Sequence, residues 1–238
     1  MPVKDLQIRL RYHFKNPALL EEALTHPSFS HLYPEIASAH YERLEFLGDA
    51  LIGFALAEWL FQHFPEGDEG LLSSAKSSLA KGSVLAKIGH AWGLEAFIRL
   101  SPGEKAQRTH HNERIVGSIV EAVIGAIHLD GGMDSAKNVL FEGFAEIFNQ
   151  PTLTKAQIEG FLQQDNPKGQ LQEWFQEKYP NEMLTYTLLE ATGLQHKRWY
   201  KVAVQRASTS ETLGIGEGPS KKLASEKAAA LALKTIKI

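Results

Sequence analysis

The spacing of apolar residues changes once along this 238-residue chain, and that change constrains the fold more than any single motif. Through residue 148 apolar positions recur at intervals of three and four, and the stretches 43–64, 71–90 and 114–129 each read as a helix with a buried face. "NPALLEEALTH" adds a start signal, with Asn16 as candidate N-cap and Pro17 at the first helical position. "FPEGDEG", "SPGEKAQRTHHN" and "DGGMD" supply breaks between helices. Beyond "FNQPTLTKAQIEGFLQQDNP", polar and bracketed by Pro151 and Pro167, the period switches to two. "MLTYTLLEA", "WYKVAVQRA" and "TSETLGIGEG" alternate as strands do, between helical "KGQLQEWFQEKY" and an Ala-rich run after Pro219. The predicted organisation is multidomain. An all-α domain covers 1–148, a linker with room for a helical turn covers 149–165, and a small α-β-β-β-α domain of α+β class covers 166–238.

With 43% hydrophobic and 22% charged residues, the chain has enough apolar surface for two cores. It has no Cys, which excludes a disulfide framework or a thiolate metal site and fits a reducing cytoplasm. "MPVKDLQIRLRYHFKNP" interleaves charged and apolar residues, unlike a signal peptide, and the apolar run after Asp49 stops at Glu58, short of the roughly 20 residues a bilayer span needs. A cytoplasmic protein with no membrane partner is the expectation. The formal charge of −3 divides unevenly: residues 165–238 hold 11 Lys+Arg against 8 Asp+Glu, and the remainder 14 against 20. A basic module suits phosphate and an acidic one suits cations, although a split this small also arises on ordinary solvated surfaces.

The stretch "YERLEFLGDALIGFALAEWLF" is mostly apolar, yet Glu42, Glu45 and Asp49 stand at i, i+3 and i+7 and so share one helical face. "ERIVGSIVEAVIGAIHLDGG" sets Glu121 among Val, Ile and Ala. If these two helices pack together, Glu45, Asp49 and Glu121 converge in low dielectric, where like charges repel and desolvation is costly. A divalent cation offsets that cost, and carboxylate oxygens with water suit Mg²⁺ or Mn²⁺. The plainer alternative pairs Glu42 with Arg43 or a neighbour, leaves Glu45 and Asp49 on a solvated face, and gives Glu121 a salt bridge. Spacing leaves both open.

The run of letters is more specific. "ERLEFLGDALIG" is very similar to the signature of the ribonuclease III family, and "VEAVIGAIHLDGG" resembles that family's second acidic helix. "LTHPSF", "FPEGDEG" and "SPGE" fit the order of its nuclease domain, and the C-terminal part resembles its double-stranded RNA-binding domain. The resemblance implies a homodimeric endoribonuclease that cuts double-stranded RNA with Mg²⁺, for which Mn²⁺ can substitute. It would leave 5′-phosphate and 3′-hydroxyl ends in the processing of ribosomal and other RNA. Carried over by position, it makes Asp49 and Glu121 catalytic and Glu45, Asp49 and Glu121 metal ligands, with Glu42 and Glu69 as further acids nearer the subunit interface and RNA. Phe46 matches a dimer contact, its alternative being a plain core position. Lys76 stands where the family often has Arg, keeping the charge without the bidentate fork. One position departs: "GSIVE" places Ser118 where the family pattern has an Asp metal ligand, and a hydroxyl brings no negative charge. The competing expectation is therefore a double-stranded RNA-binding protein whose nuclease site is impaired or inactivated.

A-form RNA hides its base edges in a deep major groove, so a sequence-tolerant reader contacts 2′-hydroxyls in the minor groove and phosphates across the major one. The resemblance assigns Gln170 and Glu173, on one face of the first C-terminal helix, to the first of these contacts, and His196, between the first two strands, to a second minor groove. Ser220, Lys221 and Lys222 open the last helix, where lysines and free backbone N–H groups both attract phosphate. Taken singly, each is also an ordinary solvated position. "GIGEGPSKK" lacks the spacing of a nucleotide-binding loop, so no nucleotide cofactor is expected.

Overall fold

The computed structural model describes residues 3–150, 153–165, 167–193 and 198–236. The chain divides into two compact units, Met1–Ile158 and Glu159–Ile238. The first is helical: α1 (Val3–Arg9), α2 (Pro17–Ala23), α3 (Pro27–Leu32), α4 (Glu42–His63), α5 (Glu69–Leu79), α6 (Gly82–Trp92), α7 (Pro102–Ala106) and α8 (Glu113–Ile147). Asn16 caps α2 through its side chain, which accepts from the Ala18 N–H at 3.2 Å, and Pro17 takes the first turn. The single helix expected over 71–90 is instead two, α5 and α6. The break at Ala80–Lys81 lets Gly82 come so near α8 that a Cβ on Gly117 would lie 2.8 Å from the Gly82 carbonyl oxygen.

Helix α8 is the axis of this unit. Its positions from Val116 to Ile127 are almost all buried, against α4 on one side and α6 on the other. By length and composition it is the one described helix apolar enough to cross a membrane, and these apolar positions lie inside the helical unit. The break expected at "DGGMD" is a kink within α8: Gly132 adopts φ 85°, a conformation that favours glycine, and the helix resumes beyond it. Just before the kink, Asp130 accepts from the Tyr12 hydroxyl at 2.7 Å and from the Lys15 and Asn16 N–H groups at 2.8 Å each, pinning the N-terminal segment to α8.

The stretch 149–165, read from sequence as a linker, contains an 11-residue helix, α9 (Lys155–Asp165), and the division between the units falls inside it. The second unit runs α10 (Pro167–Lys178), β1 (Leu184–Thr192), β2 (Trp199–Arg206), β3 (Thr212–Gly218) and α11 (Lys221–Ile236). The strands form one antiparallel sheet in the order β1-β2-β3, with register irregularities at Leu188/Glu190 and Val204/Gln205. Helix α11 lies directly on β3. A Cβ on Gly214 would come within 2.4 Å of the Ala228 carbonyl oxygen, and one on Gly216 within 2.2 Å of that of Ala224. The alanines of α11 allow that approach, and Leu171, Val204, Ala228, Ala229, Ala232 and Leu233 form the core between helices and sheet.

Candidate active site

Two glycines decide how α4 meets α8. A Cβ added to Gly48 would fall 1.8 Å from the Glu121 carbonyl oxygen, and one on Gly125 would fall 2.5 Å from that of Leu44. No other residue lets the two backbones touch in this way. The contact places Glu45 and Asp49, which flank Gly48, beside Glu121.

The electrostatics record the result. Glu121 is half-buried and its carboxyl is pushed up to about 7, first by burial, then by Asp49, then by Glu45. It has no ion-pair or hydrogen-bond partner among the described residues, so the salt bridge that would have neutralised it is absent there. Asp49 is exposed and Glu45 half-buried. The three acids form a neighbourhood rather than a closed cage, because no group of three His, Asp or Glu side chains among the described residues is arranged to hold a metal ion. As a donor set they still fit a hard dication. Mg²⁺ takes oxygen ligands, is held by one or two carboxylates, and keeps several waters to complete its shell.

The other expected residues spread around this centre. Ser118 is half-buried on α8, one turn before Glu121, and its hydroxyl has no hydrogen-bond partner among the described residues. Glu42 is exposed at the start of α4, with its carboxylate 3.6 Å from the His40 ring, and it makes no ion pair with Arg43 among the described residues. Glu69, the first residue of α5, is exposed and accepts from the Ser73 hydroxyl at 2.9 Å. Tyr41, directly before α4, was not singled out from sequence. Its buried phenol is pushed up to about 12, first by burial and then by Glu45 and Glu42, with Arg114 pulling the other way. Phe46 is 82% exposed, which rules out the core alternative. It heads a stripe on α4 with Ala50, Phe54, Ala57 and Phe61, every one exposed. Beside it lies an open groove of about 690 Å³ lined by Leu19, Glu22, His40, Arg43, Leu47 and Leu129.

In the second unit, Gln170 is half-buried and Glu173 exposed on α10. Ser220 caps α11, its hydroxyl accepting from the Leu223 N–H at 3.2 Å, and Lys221 and Lys222 are exposed in the first turn without an ion pair among the described residues. His196 lies outside the described residues.

Residues 16–147 match the Ribonuclease-III-like family and residues 167–236 match the double-stranded RNA binding motif. Ribonuclease 3 of Colwellia psychrerythraea is 37% identical over 93% of this chain and 77% of its own length, and that of Vibrio cholerae is 33% identical over 99% and 97%. The chain belongs to the ribonuclease III family. Its helical unit is also similar to the solved nuclease domain of ribonuclease III from Campylobacter jejuni, with a TM-score of 0.58 and 36% identity, covering 62% of this chain and 99% of that one. This ribonuclease III chain thus joins an all-α nuclease domain to a double-stranded RNA-binding domain with a three-stranded antiparallel sheet. The signal for its helix crossing was present in the sequence, as glycines beside Asp49 and one turn after Glu121. It was unreadable without knowing that the two helices meet.

Proposed function

We propose that this chain is an endoribonuclease that hydrolyses phosphodiesters in double-stranded RNA with the help of Mg²⁺ or Mn²⁺. It would leave 5′-phosphate and 3′-hydroxyl ends, in the maturation of ribosomal and other RNA in the cytoplasm. One observation carries the reading: Glu45, Asp49 and Glu121 gather at the Gly48 crossing with no cation among the described residues paired to Glu121. When bound, the dication supplies an activated water and stabilises charge developing on the attacked phosphate and the leaving 3′ oxygen. Glu45, Asp49 and Glu121 would hold it, with Ser118 contributing at most through water. Without it, burial and the neighbouring carboxylates hold the Glu121 carboxyl toward its protonated form.

The second unit would hold the substrate. Lys221 and Lys222 project from the N-terminus of α11, where the helix dipole and free N–H groups add to their charge, and α10 presents Gln170 and Glu173 at a spacing of three for 2′-hydroxyls. The exposed stripe from Phe46 to Phe61 would be covered by a second copy of the chain, with Glu42 at the rim of that face. A homodimer provides two nuclease centres, one for each strand. The nuclease domain from Campylobacter jejuni likewise has a region involved in dimer formation, where it is structurally flexible.

Ser118 favours a second reading, in which the chain grips double-stranded RNA and cuts it poorly or not at all. Cleavage of an end-labelled RNA hairpin across a Mg²⁺ titration separates the two, with Glu121→Gln as control. Metal-dependent cuts that vanish in the control support the nuclease. Intact binding without cuts at any Mg²⁺ or Mn²⁺ level leaves only the binding protein.

A further inference from the structure

The segment between α6 and α8 has two sides. On one, the Ser101 N–H donates to the Ser28 hydroxyl at 3.2 Å, and the charges of Glu104 and of Glu42, at the start of α4, both reach His26. On the other, Lys105, His110 and His111 close a pocket of about 470 Å³ with Arg9 of α1 and with residues of 93–100. This pocket shares no lining residue with Glu45, Asp49, Ser118 or Glu121.

Arg9 is held in place there. Its guanidinium donates to the Trp92 carbonyl at 3.2 Å and stands 5.9 Å from the centre of the Phe97 ring. Gly93, at φ 67°, makes room for it, since a Cβ at that position would lie 2.1 Å from the Arg9 Nη1. Lys105 is exposed and makes no ion pair or hydrogen bond through its side chain among the described residues. Glu95 is the acid among the lining residues, and its carboxylate is already bonded to the His90 ring. The His110 Nδ1 is enclosed without a hydrogen-bond partner, and the ring is held below the usual histidine pKa first by burial and then by His111 and Lys105. Half-buried Ile98 and Leu100 add apolar surface, and the His110 and His111 rings, with centroids 4.1 Å apart, add flat faces.

These features select a ligand chemistry. The volume falls in the range of about 300 to 1,000 Å³ that takes small ligands. Arg9 and Lys105 bring two positive charges whose nearest acid is engaged elsewhere, and a phosphate monoester carries about two negative charges near neutral pH. The planar fork of Arg9 suits phosphate oxygens, and Lys105 adds a point charge. We propose that this pocket binds a phosphate monoester with an apolar or aromatic body, the chemistry shared by a free mononucleotide and the 5′-phosphate end of an RNA strand. Arg9 and Lys105 hold the phosphate, and Ile98, Leu100 and the histidine rings hold the body. The site is separate from the acidic centre and stands or falls independently of the nuclease reading.

The test is calorimetric titration of the full chain, without divalent cations, with adenosine 5′-monophosphate and with adenosine. Wild type should bind the monophosphate saturably at one site. Adenosine should bind about 10-fold more weakly or worse, and Lys105→Gln should lose about 10-fold in affinity for the monophosphate, the scale of one charge-assisted hydrogen bond. Arg9→Gln should lose as much, but it also removes the tie to Trp92. Lys105→Gln, exposed and unpaired, is therefore the deciding variant. Short single-stranded RNAs that differ only in a 5′-phosphate or a 5′-hydroxyl then compete with the monophosphate. Displacement by the phosphorylated strand alone makes RNA ends a source of the ligand, and displacement by neither leaves the free mononucleotide. Displacement by both strands alike overturns the proposal, because the surface then takes RNA without reading a monoester. It is overturned equally by equal affinity for adenosine and its monophosphate, by an unchanged affinity in Lys105→Gln, or by no saturable binding up to about 5 mM, where any residual affinity is weaker than roughly 4 kcal/mol.

Discussion

Among single residues, the centre depends on an atom that is not there. Gly48 has no Cβ, and one placed on it would lie 1.8 Å from the Glu121 carbonyl, so Gly48→Ala must push α4 away from α8. The expected cost is about 3 kcal/mol, the upper end for overpacking. Chemical denaturation of the helical unit would show it, and a variant as stable as wild type would mean the crossing is not rigid. Glu121 sets a second expectation. Its folded pKa of about 7 lies above the roughly 4.3 of an unfolded glutamate. The folded chain therefore keeps a proton that the unfolded chain has already lost between those values. That contribution to stability is complete below the unfolded pKa and is lost as pH rises through about 7. Metal-free protein unfolded in chelator should lose stability between pH 5 and pH 8, and Glu121→Gln should flatten that slope. An unchanged slope in the variant would show that Glu121 is not the group responsible.

Among the elements, α4 serves two surfaces at once. One side, through Leu44, Gly48, Ile52 and Ala55, is buried within the helical unit, and the side from Phe46 to Phe61 faces solvent in the single chain. A helix apolar on nearly every side is normally buried on every side. A second copy would satisfy that requirement, and Phe46→Glu would then place an unpaired charge in the interface. Sedimentation equilibrium should show a dimer weakened about 100-fold, equivalent to roughly 3 kcal/mol. A wild-type chain that is already monomeric would reject this face as a dimer contact. The same doubled demand explains why periodicity located α4 well but did not say which of its faces goes inside: both are apolar. Helix α8 shows the converse. Its glycines at 131 and 132 read as a terminator, yet tertiary contacts from Asp130 to Tyr12, Lys15 and Asn16 hold the chain on both sides of a kink.

For the molecule as a whole, two units with separate cores suggest separable work. Deleting 166–238 should weaken RNA affinity and its salt dependence far more than it lowers turnover at saturating RNA, because the exposed lysines of α11 leave while the α4–α8 centre remains. An equal collapse of both quantities would count against modular action. The order of elements was legible because it rests on local spacing: three-and-four repeats in the first unit, and period two in the "TYTLL", "KVAVQ" and "LGIGE" strands of the second. The candidate acids were legible too, since a run such as "ERLEFLGDALIG" sets Glu42, Glu45 and Asp49 apart from their apolar neighbours. What sequence could not decide was convergence. Whether Glu121 is solvated, salt-bridged or left half-buried beside Asp49 depends on residues more than 70 positions apart meeting through two bare glycines. Burial and mutual repulsion exist only once α4 and α8 are in contact. The two periods, the caps and the supply of acids and lysines were written in the order of residues, because they are local properties of the chain. Which carboxylates share a field and which side of α4 is left uncovered were settled by folding alone, because each is a property of distance in space.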